Sequence, residues 1–393
     1  MFQKTRLWSG LTAIFAILMV VVFIGGQIAT DNAQLLNSAL NIETTKIIKA
    51  EGSSTQDTMY YKTSVGDQTF TAKNLEKLVE MTLEQNRNEM REGAALLKND
   101  NNALPLSKGK VSVFGNGAVN PFYQGASAGT KVNSDPNRGN QYINGKFVGV
   151  DLKQALEDEG FTVNAALWEG IQNAGVNTIA QTGNNELPIE KYNELKGTLS
   201  TDYKDTAIVV FSRIGKEGGD MWMQEEDSVS HKTISSLALH QSEKDLLNFV
   251  KDQGFGKVIV LLNAPNQMET YEIAPLCDAI LYIGTPGHQG FVGVAEILSG
   301  KVNPSGHIVD TYAKNSLSAP ANTNSGTETP MFSNVEYIRN KTGYDQTSDV
   351  KVDQRADYIS TQVEGIYIGY KYYEARYADS VIGGRGADST KGS

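Results

Sequence analysis

Thr206-Ala207-Ile208-Val209-Val210-Phe211 is a short run without a polar face. A β-branched apolar run of this length reads as a strand covered on both sides. Such a strand needs packed layers above and below it, which points to a parallel sheet inside an α/β fold. Ser212-Arg213-Ile214-Gly215-Lys216-Glu217-Gly218-Gly219-Asp220 follows at once, and its three glycines allow sharp turns and close approach to a ligand. Ligands of open α/β sheets gather at the carboxyl ends of the strands. Glu217 therefore falls on a loop at the edge where chemistry is usually done. Residue type alone leaves it either a solvated surface acid or a working group.

Further segments repeat the pattern. Lys110–Phe114, 161–163, Lys257–Asn263 and 278–283 read as strands. Residues 72–97, 151–160, 237–250 and 290–298 carry helical spacing, the second closed by Gly160. Strands alternating with helices predict an α/β sandwich, a mostly parallel sheet with helices on both faces. Gly115-Asn116-Gly117 after the first strand lacks the third glycine of a dinucleotide fingerprint, and Pro121 stops a helix there.

Composition narrows the function. Apolar residues make up 40% of the 393 and charged residues 20%, a globular balance. A net charge of −10 argues against a nucleic-acid partner. The four histidines are scattered without metal-ligand spacing, so neither a metal nor another cofactor is expected. The single cysteine, Cys277, sits in an apolar run and reads as a small core residue.

Lys4 and Arg6 precede an uncharged stretch over 7–30 that is long enough to cross a bilayer as a helix. The positive-inside rule puts residues 1–6 in the cytoplasm and 31–393 outside, with the chain held in the cell membrane by one span. A cleaved signal peptide is the rival reading. The run is long for one, and 25–29 match a cleavage site poorly, so an uncleaved transmembrane helix is expected. The expected divisions are 1–30 stub and signal-anchor, 31–71 linker, 72–320 α/β sandwich and 321–393 loop-rich tail.

Ser212–Asp220 resembles the loop that carries the catalytic acid/base in glycoside hydrolase family 3, the β-glucosidase family. Three further stretches resemble the same family in the same order. They are Glu92-Gly93-Ala94-Ala95-Leu96-Leu97-Lys98-Asn99 with Leu104-Pro105-Leu106, then Gly287-His288-Gln289-Gly290 through Asn303-Pro304-Ser305-Gly306-His307, then Glu364–Glu374. Gln289 stands where the family usually has Glu, and His307 near the usual Arg; both read as structural departures. The Tyr-rich stretch 364–374 reads as extended and half-buried.

The resemblance implies an O-glycosyl hydrolase of the retaining type, acting on a β-linked glycoside or oligosaccharide, with Glu217 as acid/base. It also suggests Gly125, Ser127, Arg213 and Asp220 as substrate-binding residues. The family's nucleophile is an Asp on a separate (β/α)8 barrel, which is not visible in this sequence. Ser348-Asp349 is the only comparable pair in the tail, and its polar surroundings give no reason to assign it that role. The chain thus matches the α/β half of a reversed-domain-order member that needs a barrel in cis or in trans. The alternative is a non-catalytic, membrane-anchored carbohydrate-binding module.

Overall fold

The computed structural model describes residues 2–33, 36–37, 40, 72–123, 142–143, 146–147, 149–175, 186–213, 215, 223–319 and 364–375. The chain divides into two units, Met1–Gln68 and Thr69–Ser393. In the first unit, helix α1 spans Phe2–Asp31. Within it, Trp8–Thr30 is long and apolar enough to cross a membrane, and its side chains are exposed. A membrane span and a signal sequence share these properties. The expected linker over 31–71 lies almost wholly outside the described residues.

The second unit begins with α2 (Ala72–Gly93) and β1 (Ala95–Asn99), then β2 (Lys110–Phe114) and the single turn α3 (Asn116–Val119). A two-residue ladder, β3 (Tyr142–Ile143) with β4 (Lys146–Phe147), precedes α4 (Leu152–Asp158), β5 (Thr162–Val163) and α5 (Ala165–Ala174). Next come α6 (Ile189–Leu195), β6 (Thr206–Ser212), the hairpin β7 (Gln224–Glu226) and β8 (Thr233–Ser235), and α7 (Gln241–Asp252). The sequence ends its regular core with β9 (Lys257–Asn263), β10 (Ala279–Tyr282) and α8 (Gly290–Leu298).

Six strands form one sheet in the order β1-β10-β9-β6-β2-β5. Five run parallel, and β1 joins the β10 edge antiparallel. The period-2 alternation of side chains sends Ile208 and Val210 to one face and Ala207, Val209 and Phe211 to the other. The first face packs under α2, α4 and α8, and the second under α5, α6 and α7. Both faces are thus buried, which is why β6 and β9 need apolar residues at nearly every position. Each fully buried Val, Leu or Ile contributes roughly 1.5–3 kcal/mol. Cys277 lies in the second core cluster, where burial pushes its thiol up to about 12.

Besides the single turn α3, which forms ahead of Pro121 where no helix was expected, four segments depart from the sequence reading. Helical spacing over 72–97 ends instead at Gly93, and 95–99 become a strand pairing Ala95 with Tyr282 and Asn99 with Ala279. The open edge of β10 would otherwise leave buried backbone groups unpaired, and pairing overrides the helix preference of Leu-Leu-Lys. The helix expected from Leu237 begins at Gln241, because the carbonyls of Ser236 and Ala238 accept from Arg213 and that of Leu237 accepts from Glu269 N. Helices α5 and α6 fall in a stretch for which the pattern gave no element.

The fourth departure is the Tyr-rich stretch. It turns at Gly369 (φ 56°), is helical over 370–375 rather than extended, and is exposed over 365–371 rather than half-buried. No strand pairs with 364–375 among the described residues, so the backbone closes local bonds, Tyr372 N to Gly369 O at 3.2 Å. An extended segment without a neighbour leaves its ladder groups unmet.

Two of the motifs prove to be packing devices. Gly306 sits where a Cβ would lie 2.4 Å from Gly93 O, so the Asn303–Gly306 turn closes directly on the end of α2. Gln289 accepts from Arg87 Nε and Nη2 at 2.9 and 2.7 Å, and Arg91 forks onto the buried Glu296, tying α2 to α8.

Candidate functional site

From β2 the chain winds outward to β5, then returns to β6 on the other side of β2 and continues through β9 to β10. The winding direction reverses between β2 and β6. In doubly wound sheets the ligand crevice opens at the carboxyl ends of the two strands flanking that reversal. Here that reversal lies between the Gly115–Val119 turn and Ser212-Arg213, the start of the loop carrying Glu217.

Asn263, at the carboxyl end of β9, binds the edge together. Its Oδ1 accepts from Phe122 N at 2.6 Å and from Ser212 Oγ at 2.8 Å, and its Nδ2 donates to Phe122 O and Gly284 O at 2.9 and 2.7 Å. Gly115 has φ 97°, and a Cβ there would lie 2.4 Å from the carbonyl oxygen of Val210 on β6. The Gly-Asn-Gly stretch thus serves close packing of a turn on a strand. Gly115→Ala is expected to destabilise the protein by at least ~2 kcal/mol, from left-handed strain plus the clash. A shift in the urea midpoint measures this, and an unchanged midpoint refutes it.

Both described flanks of the Glu217 loop are fixed to the first turn of α7. On the near side Arg213 is 4% exposed. Its Nη1 and Nη2 donate to the two oxygens of Glu243, each at 2.6 Å. Its other donors go to Ser212 O, Ser236 O and Ala238 O. All five guanidinium donors are therefore engaged within the protein. Glu243 also accepts from His240 N at 2.9 Å, satisfying one of the open N–H groups of the helix start. On the far side His240 Nε2 lies 3.0 Å from Glu225 Oε1, and its Nδ1 lies 3.4 Å from Asp227 Oδ2. Burial opposes the charge on Asp227, but the backbone N–H groups of Ser230, Gln241 and Val229 outweigh it and hold the carboxyl down to about 2.

Glu186 faces the crevice turn. Its carboxylate oxygens accept from Asn116 N, each at 3.2 Å, and Oε1 also accepts from Leu187 N at 2.8 Å and the Tyr192 hydroxyl at 2.6 Å. Burial outweighs these bonds and, with the charge of Glu243 nearby, lifts its pKa to about 7. A native pKa above the unfolded value of about 4.3 stabilises the protonated form. The Glu186 contribution is therefore full below about pH 4.3, falls as pH rises toward 7, and levels off above. Tm is expected to drop across that window more steeply in the wild type than in Glu186→Gln; parallel curves refute this.

Of the five residues singled out in the sequence, Arg213 is placed at this edge. Any sugar contact by Arg213 requires one of the bonds above to be given up. Glu217, Asp220, Gly125 and Ser127 lie outside the described residues. Sequence reading missed Asn263, Glu186, Glu243 and His240. Asn263 carried a faint signal, a polar residue closing an apolar strand, whereas the other three come together only through the fold.

The sheet order defines a doubly wound α/β domain whose winding reverses between β2 and β6. The chain belongs to the glycosyl hydrolase family 3 C-terminal domain family, whose model matches residues 94–370. It is 26% identical over 300 residues to beta-glucosidase A of Butyrivibrio fibrisolvens, covering 72% of this chain and 31% of that protein. It is 27% identical over 303 residues to a beta-glucosidase of Ruminococcus albus, covering 74% and 26%. The chain thus spans about a quarter to a third of the length of these curated relatives. Beta-glucosidase 3B from Thermotoga neapolitana in complex with glucose is similar in structure, with a TM-score of 0.50 at 23% identity, over 78% of this chain and 37% of that one. That likeness concerns the fold alone.

Proposed function

We propose that this chain supplies the general acid/base, Glu217, of a retaining O-glycosyl hydrolase acting on β-linked glycosides. The observation that carries this reading is the anchoring of both flanks of 214–222 on one helix turn, beside the sheet's winding reversal. A proton-transferring carboxyl must be held to within a fraction of an ångström of its target, and fixed loop ends favour that. The relatives, beta-glucosidases and an exo-1,4-beta-xylosidase of Aspergillus awamori, support the substrate class.

Retaining hydrolysis needs a second carboxyl as nucleophile, about 5–5.5 Å from the first. A (β/α)8 barrel, in cis or in trans, supplies it in this proposal. Glu217 protonates the departing oxygen, then takes a proton from the water that releases the sugar. Gly125, Ser127 and Asp220 are the proposed sugar-side residues, and Arg213 acts through the bonds that hold the start of the loop. Helix α1 anchors the chain in the cell membrane with 31–393 outside. The divisions at 30, 71 and 320 are part of the same proposal.

The test is an assay on aryl β-glucosides and β-xylosides with and without a family 3 barrel domain. Turnover is expected only with the barrel. With it, Glu217→Ala loses activity on poor leaving groups, and azide restores activity on good ones. Turnover by this chain alone overturns the division of labour. No turnover with a competent barrel favours the non-catalytic carbohydrate-binding module.

A further inference from the structure

The tyrosines of 364–373 have no part in the acid/base reading. With Gln267, Asp310, Thr311, Ser316 and Ala319 they line an open cavity of about 510 Å³, a volume suited to a small ligand. Tyr367 and Tyr370 line it while remaining 51% and 57% exposed, so their rings are not absorbed by the core. Tyr372 and Tyr373 line it too, packed edge to face at 5.1 Å, and the Tyr372 hydroxyl donates to Ser318 O at 3.1 Å. That bond holds the short helix against the opposite wall.

Two acceptors stand among these rings. Asp310 and Glu364 both line the cavity. Ionised carboxylates only accept hydrogen bonds, so they suit a guest that carries donors. Lys371 lines the same cavity and offsets the charge of one of the two carboxylates. The fitting guest is neutral, with apolar C–H faces to lie on tyrosine rings and several hydroxyls to donate to carboxylates.

We propose that this cavity is a saccharide-binding site that takes a mono- or disaccharide through Tyr367, Tyr370, Asp310 and Glu364. It requires neither Glu217 nor a barrel, so it stands or falls apart from the acid/base reading.

The test is calorimetric titration of the full chain, held in lipid nanodiscs free of alkyl glycoside detergent, with cellobiose, xylobiose and choline. Saccharide binding is expected, weakened about tenfold or more in the Tyr367→Ala/Tyr370→Ala double variant. Both tyrosines are exposed, so the variant retains its core, checked by an unchanged Tm. Glu364→Gln, which keeps shape but removes charge, should weaken binding as well. The proposal is overturned by absent saccharide binding, by equal affinity in the double variant, or by tighter binding of choline.

Discussion

Arg213→Met is expected to lower the stability of this protein by about 3–5 kcal/mol, because it leaves the Glu243 carboxylate buried without its partner. Glu243 is as deeply buried as the arginine, and its remaining donor is the His240 N–H. Three carbonyls, of Ser212, Ser236 and Ala238, also lose their donor. Arg213→Lys should rescue little, since an ammonium cannot reproduce the two-pronged contact. The double variant Arg213→Met/Glu243→Leu should regain much of the loss, because an apolar pair of similar volume is often neutral or better in such a site. Chemical denaturation of the four proteins closes the cycle. A double variant as unstable as the sum of its parts contradicts this account.

Glu217→Ala, assayed in the barrel-completed enzyme, is expected to cut turnover of substrates with poor leaving groups by about 10²–10⁴-fold. A basic leaving oxygen cannot depart without a proton, so cleavage of its bond becomes limiting. An activated aryl leaving group departs unaided, and the second step, attack by water, then limits. Azide needs no general base and should restore the rate for the activated substrate only. A uniform loss across leaving groups, unmoved by azide, would assign Glu217 to folding or binding. The Arg213 result bears on this one: loosening the near flank should lower kcat more than it alters KM, because the acid is displaced without loss of a sugar contact.

Much of the architecture was legible before any coordinates. The bounds of β2 and β9 coincide with the apolar runs Lys110–Phe114 and Lys257–Asn263, because a strand buried on both faces must be apolar nearly throughout. Asp151 was readable as the start of α4, and its side chain accepts from Gln154 N. The family, too, was readable from motifs that prove to have mechanical reasons, such as the close approach that only Gly306 permits.

Other features were settled by partners far away in sequence. Residues 95–99 form a strand because β10 offers an open edge, and 237–240 stay out of α7 because Arg213 takes two of their neighbouring carbonyls. Residues 370–375 curl into a helix because no strand lies alongside among the described residues. Local pattern therefore determined which segments must be buried, and it is the source of the role proposed for the loop after β6. Tertiary structure alone decided that Arg213, Glu243, His240, Glu225 and Asp227 gather on one helix turn. Long-range hydrogen bonding and charge pairing have no period along a chain, whereas the burial of apolar side chains does.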